Sequence, residues 1–171
     1  MIVIGYQGIG KSTVTKQLDN CLDLESSIMK INGQRDENWF IPYGQIALDL
    51  SRQGNIVFTS SHRVFRDWLK VHRNDTADEI LCIVPALKLK DLWIEKLQKR
   101  WEQTNLLKDR LALLNAEDCF IENITEMYDF KNCFEFYEIQ EMNYDLKKFF
   151  ENFENVLEED LEKLTGIKRL Y

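Results

Sequence analysis

The chain has 171 residues, 44% of them apolar, with 22 Lys+Arg against 29 Asp+Glu and a net charge of −7. Such a length suits one domain with its own core, and only 7 Gly and 2 Pro argue against a disordered or fibrous class. The acidic balance argues against long nucleic acid as a partner but allows a small anion in a local basic pocket, and no apolar run approaches the roughly 18 residues of a membrane span.

In chain order, Ile2-Val3-Ile4-Gly5 reads as a strand buried on both faces of a parallel sheet, and Lys11 to Leu18 as a short helix. Met1 leads directly into that strand, which leaves no room for a secretory leader, so the expected compartment is the cytoplasm. Residues 21–25 form a second strand, and 26–43 a loop with a broken helix. Residues 44–54 read as a helix stopped by Gly54. A strand over 55–61 precedes a helix over 62–72, and a strand over 79–85 ends at Pro85. Helices are expected over 87–102 and 106–128, a strand over 133–139, and one amphipathic terminal helix over 144–164. Alternating strands and helices predict a single α/β domain over 1–171. Cys21, Cys82, Cys119 and Cys133 have no zinc-type spacing, so reduced thiols are expected.

Residues 5–12, Gly-Tyr-Gln-Gly-Ile-Gly-Lys-Ser, fit G-x-x-x-x-G-K-[ST] between a predicted strand and a predicted helix. The glycines let backbone N–H groups curl around an anion, so Gly5, Gln7, Gly8, Ile9, Gly10, Lys11, Ser12 and Thr13 are the expected nucleotide-phosphate contacts. Lys11 would reach the outer phosphates and the Ser12 hydroxyl would ligate magnesium.

Two residue groups sit where later strand ends converge. Asp23 and Glu25, two apart, would share a face and serve as a magnesium partner and as a base or metal-water holder. The strand ending at Thr59-Ser60-Ser61-His62 carries no acid, which weakens a motor or helicase reading. Arg35, Trp39, Ser61, Arg63 and Arg66 are the expected acceptor contacts. Lys96, Lys99 and Arg100 lie at helical spacing, with Lys108 and Arg110 beyond a break at 102–105. A cationic lid over about 92–116 is expected to use Lys96, Lys99, Arg100 and Arg110, with Arg100 and Arg110 neutralising charge during transfer.

These residues resemble the small P-loop kinases of nucleoside monophosphates and related metabolites, particularly the short nucleotide kinases often encoded by bacteriophages. Four features carry the resemblance: the loop at 5–13, Asp23-x-Glu25, Ile83-Val84-Pro85, and Leu92 to Arg100. Asp23-x-Glu25 is also similar to the Asp-x-Asp of shikimate- and gluconate-type kinases. The chain departs from the family at Lys96, where the lid pattern has arginine. It also lacks the Asp-Gly-x-Pro-Arg that follows strand three in adenylate kinases. The resemblance implies a three-layer α/β/α P-loop fold with a five-stranded parallel sheet of order 2-3-1-4-5 and a closing helical lid. It further implies ATP with Mg2+ as donor, and a host cytoplasm if the gene is phage-borne.

Three readings follow. The first is a kinase of a small phosphate-bearing acceptor such as a (deoxy)nucleoside monophosphate. The second is a kinase of a hydroxyl metabolite or modified base, and the third a nucleotide-binding regulatory or assembly module with little turnover. The oligomeric state has no sequence signal.

Overall fold

A computed structural model describes residues 1–72 and 79–171. Its centre is built from short apolar runs. Strand β1 (Ile2–Gly5) is buried along its whole length, as is β6 (Ile80–Pro85), because both lie inside a sheet covered on two faces. Around them stand β2 (Cys21–Asp23), β5 (Ile56–Thr59) and β7 (Glu135–Ile139), all parallel. The sheet order is β2-β5-β1-β6-β7, followed by β8 (Ile167–Leu170), which pairs antiparallel with β7. The five parallel strands therefore stand in the expected 2-3-1-4-5 order, with a sixth strand added at one edge.

Register assigns the faces. Phe58, Val3 and Leu81 align across β5, β1 and β6, and Ile83 aligns with Tyr137 two residues further on, so all five point the same way. Helix α6 (Leu146–Asn152) covers that face: Phe150 packs on Phe58 at 5.3 Å and Phe149 on Tyr137 at 5.1 Å. The opposite face belongs to α5 (Leu107–Tyr128), whose Tyr128 stacks on Phe136 at 5.1 Å. Helices α2 (Phe40–Arg52) and α3 (Arg63–His72) pack together through Tyr43 and Phe65, with ring centroids 4.9 Å apart.

Several boundaries differ from the expectation. Helix α1 is only Lys11–Val14 and continues as turns to Leu18. The stretch read as a loop over 26–43 holds a 3-10 turn, a small hairpin of β3 (Lys30–Ile31) and β4 (Gln34–Arg35), and the start of α2. Its Asn32-Gly33 turn is the strongest short hairpin signal a sequence offers, and the expectation overlooked it. Pro42 falls in the first turn of α2, where a missing N–H costs nothing. The single terminal helix is two: α6, N-capped by Asp145, and α7 (Glu158–Thr165), separated by turns. Helix α4 (Lys90–Thr104) and α5 form a hairpin whose bend is Asn105 in the left-handed conformation, at the break expected over 102–105.

Candidate functional site

The parallel strands end together around the loop at 5–12. Gly10 caps α1 at φ +95, and Gly8 sits at φ +86. A Cβ on Gly8 would lie 2.9 Å from Leu97 Cδ2 and 3.1 Å from Trp93 Nε1, so glycine is required there both by conformation and by the close approach of α4. The loop is clamped from outside. Trp93 Nε1 donates to the Gln7 carbonyl at 3.0 Å, and Gln7 Nε2 donates to the Ala112 carbonyl and to Asn115 Oδ1, each at 2.9 Å. Ile9 is anchored in the core, and its N–H is turned to the Tyr6 carbonyl at 3.4 Å, so its side chain lines no cleft.

Two clefts meet at this loop. The loop cleft, about 650 Å³, is lined by Gly8, Gly10, Lys11, Ser12, Thr13, Asp23, Glu25, Lys96, Arg100 and Lys108. The α5 cleft, about 620 Å³, is lined by Gly5, Gln7, Ser61, His62, Arg63, Arg66, Asn115, Asn123 and Glu126. Gln7, Lys11, Arg35, Ser60, Lys108 and Ala112 line both, and three of these six are cations, so the junction between the clefts is cationic.

Each group at the junction has identifiable partners. Lys11 Nζ donates to the carbonyls of Thr59 at 3.1 Å and Gly5 at 3.4 Å. Burial lowers its pKa, an effect opposed by the nearby Asp23 and Glu25 carboxylates. Ser12 Oγ donates to Asp23 Oδ2 at 2.7 Å. This hydroxyl–carboxylate pair faces the loop cleft and suits a hard cation such as magnesium. Among the described residues there is no group of three or more His, Cys, Asp or Glu able to hold a metal alone. Glu25 is held instead by Lys108, Nζ to Oε1 at 3.0 Å, which keeps its carboxyl below the usual range.

The expected lid residues divide. Arg100 lies 2.5 Å from Asp109, a carboxylate only 2% exposed, and lines the loop cleft. Lys96 lines it too, lying 4.4 Å from the Trp93 ring and 4.7 Å from Tyr144 while donating to the Tyr144 hydroxyl at 2.6 Å. Burial, with Arg100 close by, pulls its pKa down to about 8. Lys99 does not reach the site: it is 65% exposed and pairs with Glu95 one turn away. Arg110 lies outside both clefts, with its guanidinium 5.4 Å from the Trp101 ring. Lys108, two positions earlier, is the cation of α5 that the fold brings in.

The expected acceptor contacts also divide. Ser61 and Arg63 line the α5 cleft, and Arg35 lines both clefts. Arg35 is braced by Ser26 Oγ at 2.6 Å and lies over the Trp39 ring at 4.6 Å. Trp39 itself is 9% exposed, edge-on to His62, and lines neither cleft, so it supports Arg35 and offers no stacking face. Arg66 is 1% exposed, bonded to Glu126 and set over the Phe130 ring, which makes it chiefly a fold element at the cleft wall. His62, at the end of the strand that carries no acid, also lines the α5 cleft. Burial, with Arg35 beside it, lowers its pKa. Asn115, Asn123 and Glu126 carry no motif; their spacing of eight and eleven places them on one face of α5, but nothing in the sequence says that this face lines a cleft.

No protein-family model matches the chain, and no curated protein sequence does either. Among solved structures, a gluconokinase from Sinorhizobium meliloti 1021 is similar at a TM-score of 0.46 and 12% identity, over 82% of this chain and 82% of its own. A shikimate kinase from Bacteroides thetaiotaomicron gives a TM-score of 0.43 and 15% identity, over 79% of this chain and 82% of its own.

Proposed function

We propose that the chain is an ATP-dependent phosphotransferase that moves the γ-phosphoryl group of ATP, with Mg2+, to a small anionic acceptor, of which a (deoxy)nucleoside monophosphate is the leading type. The observation that carries this reading is the cationic junction of Lys11, Arg35 and Lys108 between two clefts, beside the 2.7 Å Ser12–Asp23 pair. Phosphoryl transfer needs positioning and charge neutralisation more than covalent help, and a junction of this kind supplies both.

In this reading the backbone around Gly8 and Gly10 holds the β-phosphate region and Lys11 the outer phosphates. Ser12 and Asp23 would hold magnesium, whose bound charge would supply neutralisation of the phosphates. Arg100 and Lys96 flank the triphosphate from α4. The acceptor enters from the α5 cleft, with Arg35 and Arg63 toward its phosphate.

The bases present support an anionic acceptor: Glu25, the expected base, is held by Lys108 in the loop cleft. Glu126 is the carboxylate of the α5 cleft among the described residues, and it is engaged by Arg66. The Nε2 of His62 faces the Arg35 guanidinium at 3.4 Å. Neither is free to deprotonate a hydroxyl. A phosphate monoester, with a second pKa of about 6, arrives already ionised and needs no base.

The test is a mass-spectrometric screen of ATP and magnesium with pooled nucleoside monophosphates, sugar acids and other hydroxyl metabolites. A phosphorylated product that disappears with Lys11→Ala is expected. ATP binding without any product would favour the regulatory module, and turnover unchanged in Lys11→Ala would remove the proposed donor site.

A further inference from the structure

Helix α5 is bent where nothing in its composition announces a bend. Cys119 departs from helical geometry at φ −132 and ψ 19, although the helix contains neither proline nor glycine. In a straight helix, residues eight apart are separated by about 12 Å along the axis, beyond the reach of two asparagine side chains. Yet Asn123 Nδ2 donates to Asn115 Oδ1 at 3.0 Å. The bend closes that distance, and its concave side forms a wall of the α5 cleft.

The hydrogen bonds fix what this pair offers a ligand. Asn115 Oδ1 already accepts from both Gln7 Nε2 and Asn123 Nδ2, at 2.9 and 3.0 Å, which uses its two lone pairs. Its Nδ2 remains as a donor, and Asn123, which also hydrogen-bonds the Tyr6 hydroxyl, keeps an acceptor lone pair on Oδ1. Leu111, Ala112 and Met127 supply apolar surface on the same wall. One donor and one acceptor side by side, flanked by apolar surface, match the edge and faces of a flat heterocycle. A polyhydroxylated chain would instead need a polar partner at each hydroxyl, where this wall turns apolar at Leu111, Ala112 and Met127.

We infer that the concave face of α5 reads the edge of a planar heterocycle on the acceptor, a nucleobase by chemistry, with Asn115 and Asn123 as the specificity-determining pair. The inference rests on the proposed function for the meaning of the α5 cleft. It adds that selectivity among acceptors arises there, held in register with the phosphate loop through Gln7.

Calorimetric binding of the full chain to nucleoside 5′-monophosphates and to ribose 5-phosphate, which lacks the ring, tests it. At least one monophosphate is expected to bind about 10- to 100-fold more tightly than ribose 5-phosphate. Asn115→Leu and Asn123→Leu should collapse that ratio towards one. Asn123→Asp, of unchanged shape, should reduce it as well, since it converts the donor to Asn115 into a charge. ATP affinity, measured on each variant, reports folding. Equal affinity for ligands with and without the ring, or variants that weaken both equally while ATP still binds, would overturn the inference. Turnover measured alongside judges the enzyme reading separately. Ring-dependent binding without product would sink phosphotransfer alone, and efficient transfer to ringless acceptors would sink the heterocycle alone.

Discussion

The Ser12 hydroxyl and the Asp23 carboxylate meet at 2.7 Å, joining the first turn after the glycine loop to the end of a strand two places away in the sheet. Neither residue makes a cation site alone. Held together, they present a hard-oxygen pair at the floor of the loop cleft.

Asp23→Asn keeps the shape and removes the charge. It should raise the magnesium concentration needed for half-maximal turnover and lower kcat about 10- to 100-fold, with Ser12→Ala acting in the same direction. Magnesium titrations of initial rate check this. An unchanged magnesium dependence in both variants would remove the pair from the metal site.

Lys108 and Arg110 should behave oppositely. Lys108 pairs with Glu25 at 3.0 Å and lines both clefts, whereas Arg110 lines neither. Lys108→Ala is expected to lower kcat about 10-fold or more, and Arg110→Ala to stay within about twofold of the parent. Steady-state kinetics with saturating ATP separate the two, and the reverse ranking would return Arg110 to the mechanism.

Gly8→Ala places a Cβ at φ +86 and 2.9 Å from Leu97 Cδ2 in a packed region. It should cost about 1–3 kcal/mol of stability and weaken nucleotide binding by displacing the loop from α4. Urea unfolding and nucleotide titration give the two readouts. A variant as stable and as tight-binding as the parent would mean that the loop relaxes freely.

Lys96 predicts a pH dependence. Its folded pKa, pulled down to about 8, lies below that of the unfolded chain, so between the two values the unfolded chain binds more protons. Stability from this group therefore rises with pH across that window. The groups facing it are Arg100, whose charge lowers the pKa further, and the Tyr144 hydroxyl that accepts its hydrogen bond. Lys96→Met should lose this increment, seen as a smaller rise in Tm between pH 7.5 and 9.5 than in the parent. Parallel profiles would show that Lys96 is not the titrating group.

The sequence by itself determined the local and the periodic. Continuous apolar runs such as Ile2-Val3-Ile4 and Ile80 to Val84 are readable as buried strands because both faces of a parallel strand need the same apolar chemistry. The loop at 5–12 is readable because its spacing is set by backbone geometry within eight residues. Strand β8 was not readable, because four residues after a helix carry too little pattern, and its pairing with β7 is a tertiary event. The tertiary structure also chose among the cations. Lys108 and Arg110, two apart on a helix, point about 200° from one another, so only one can face the cleft. Which one does depends on how α5 is rotated against α4 and the sheet, and no local periodicity encodes that rotation. Asn115 and Asn123 needed more still, since they meet only where α5 bends at Cys119. The phosphate loop was written in one short segment, while the acceptor side was assembled from residues whose proximity exists only in the folded chain.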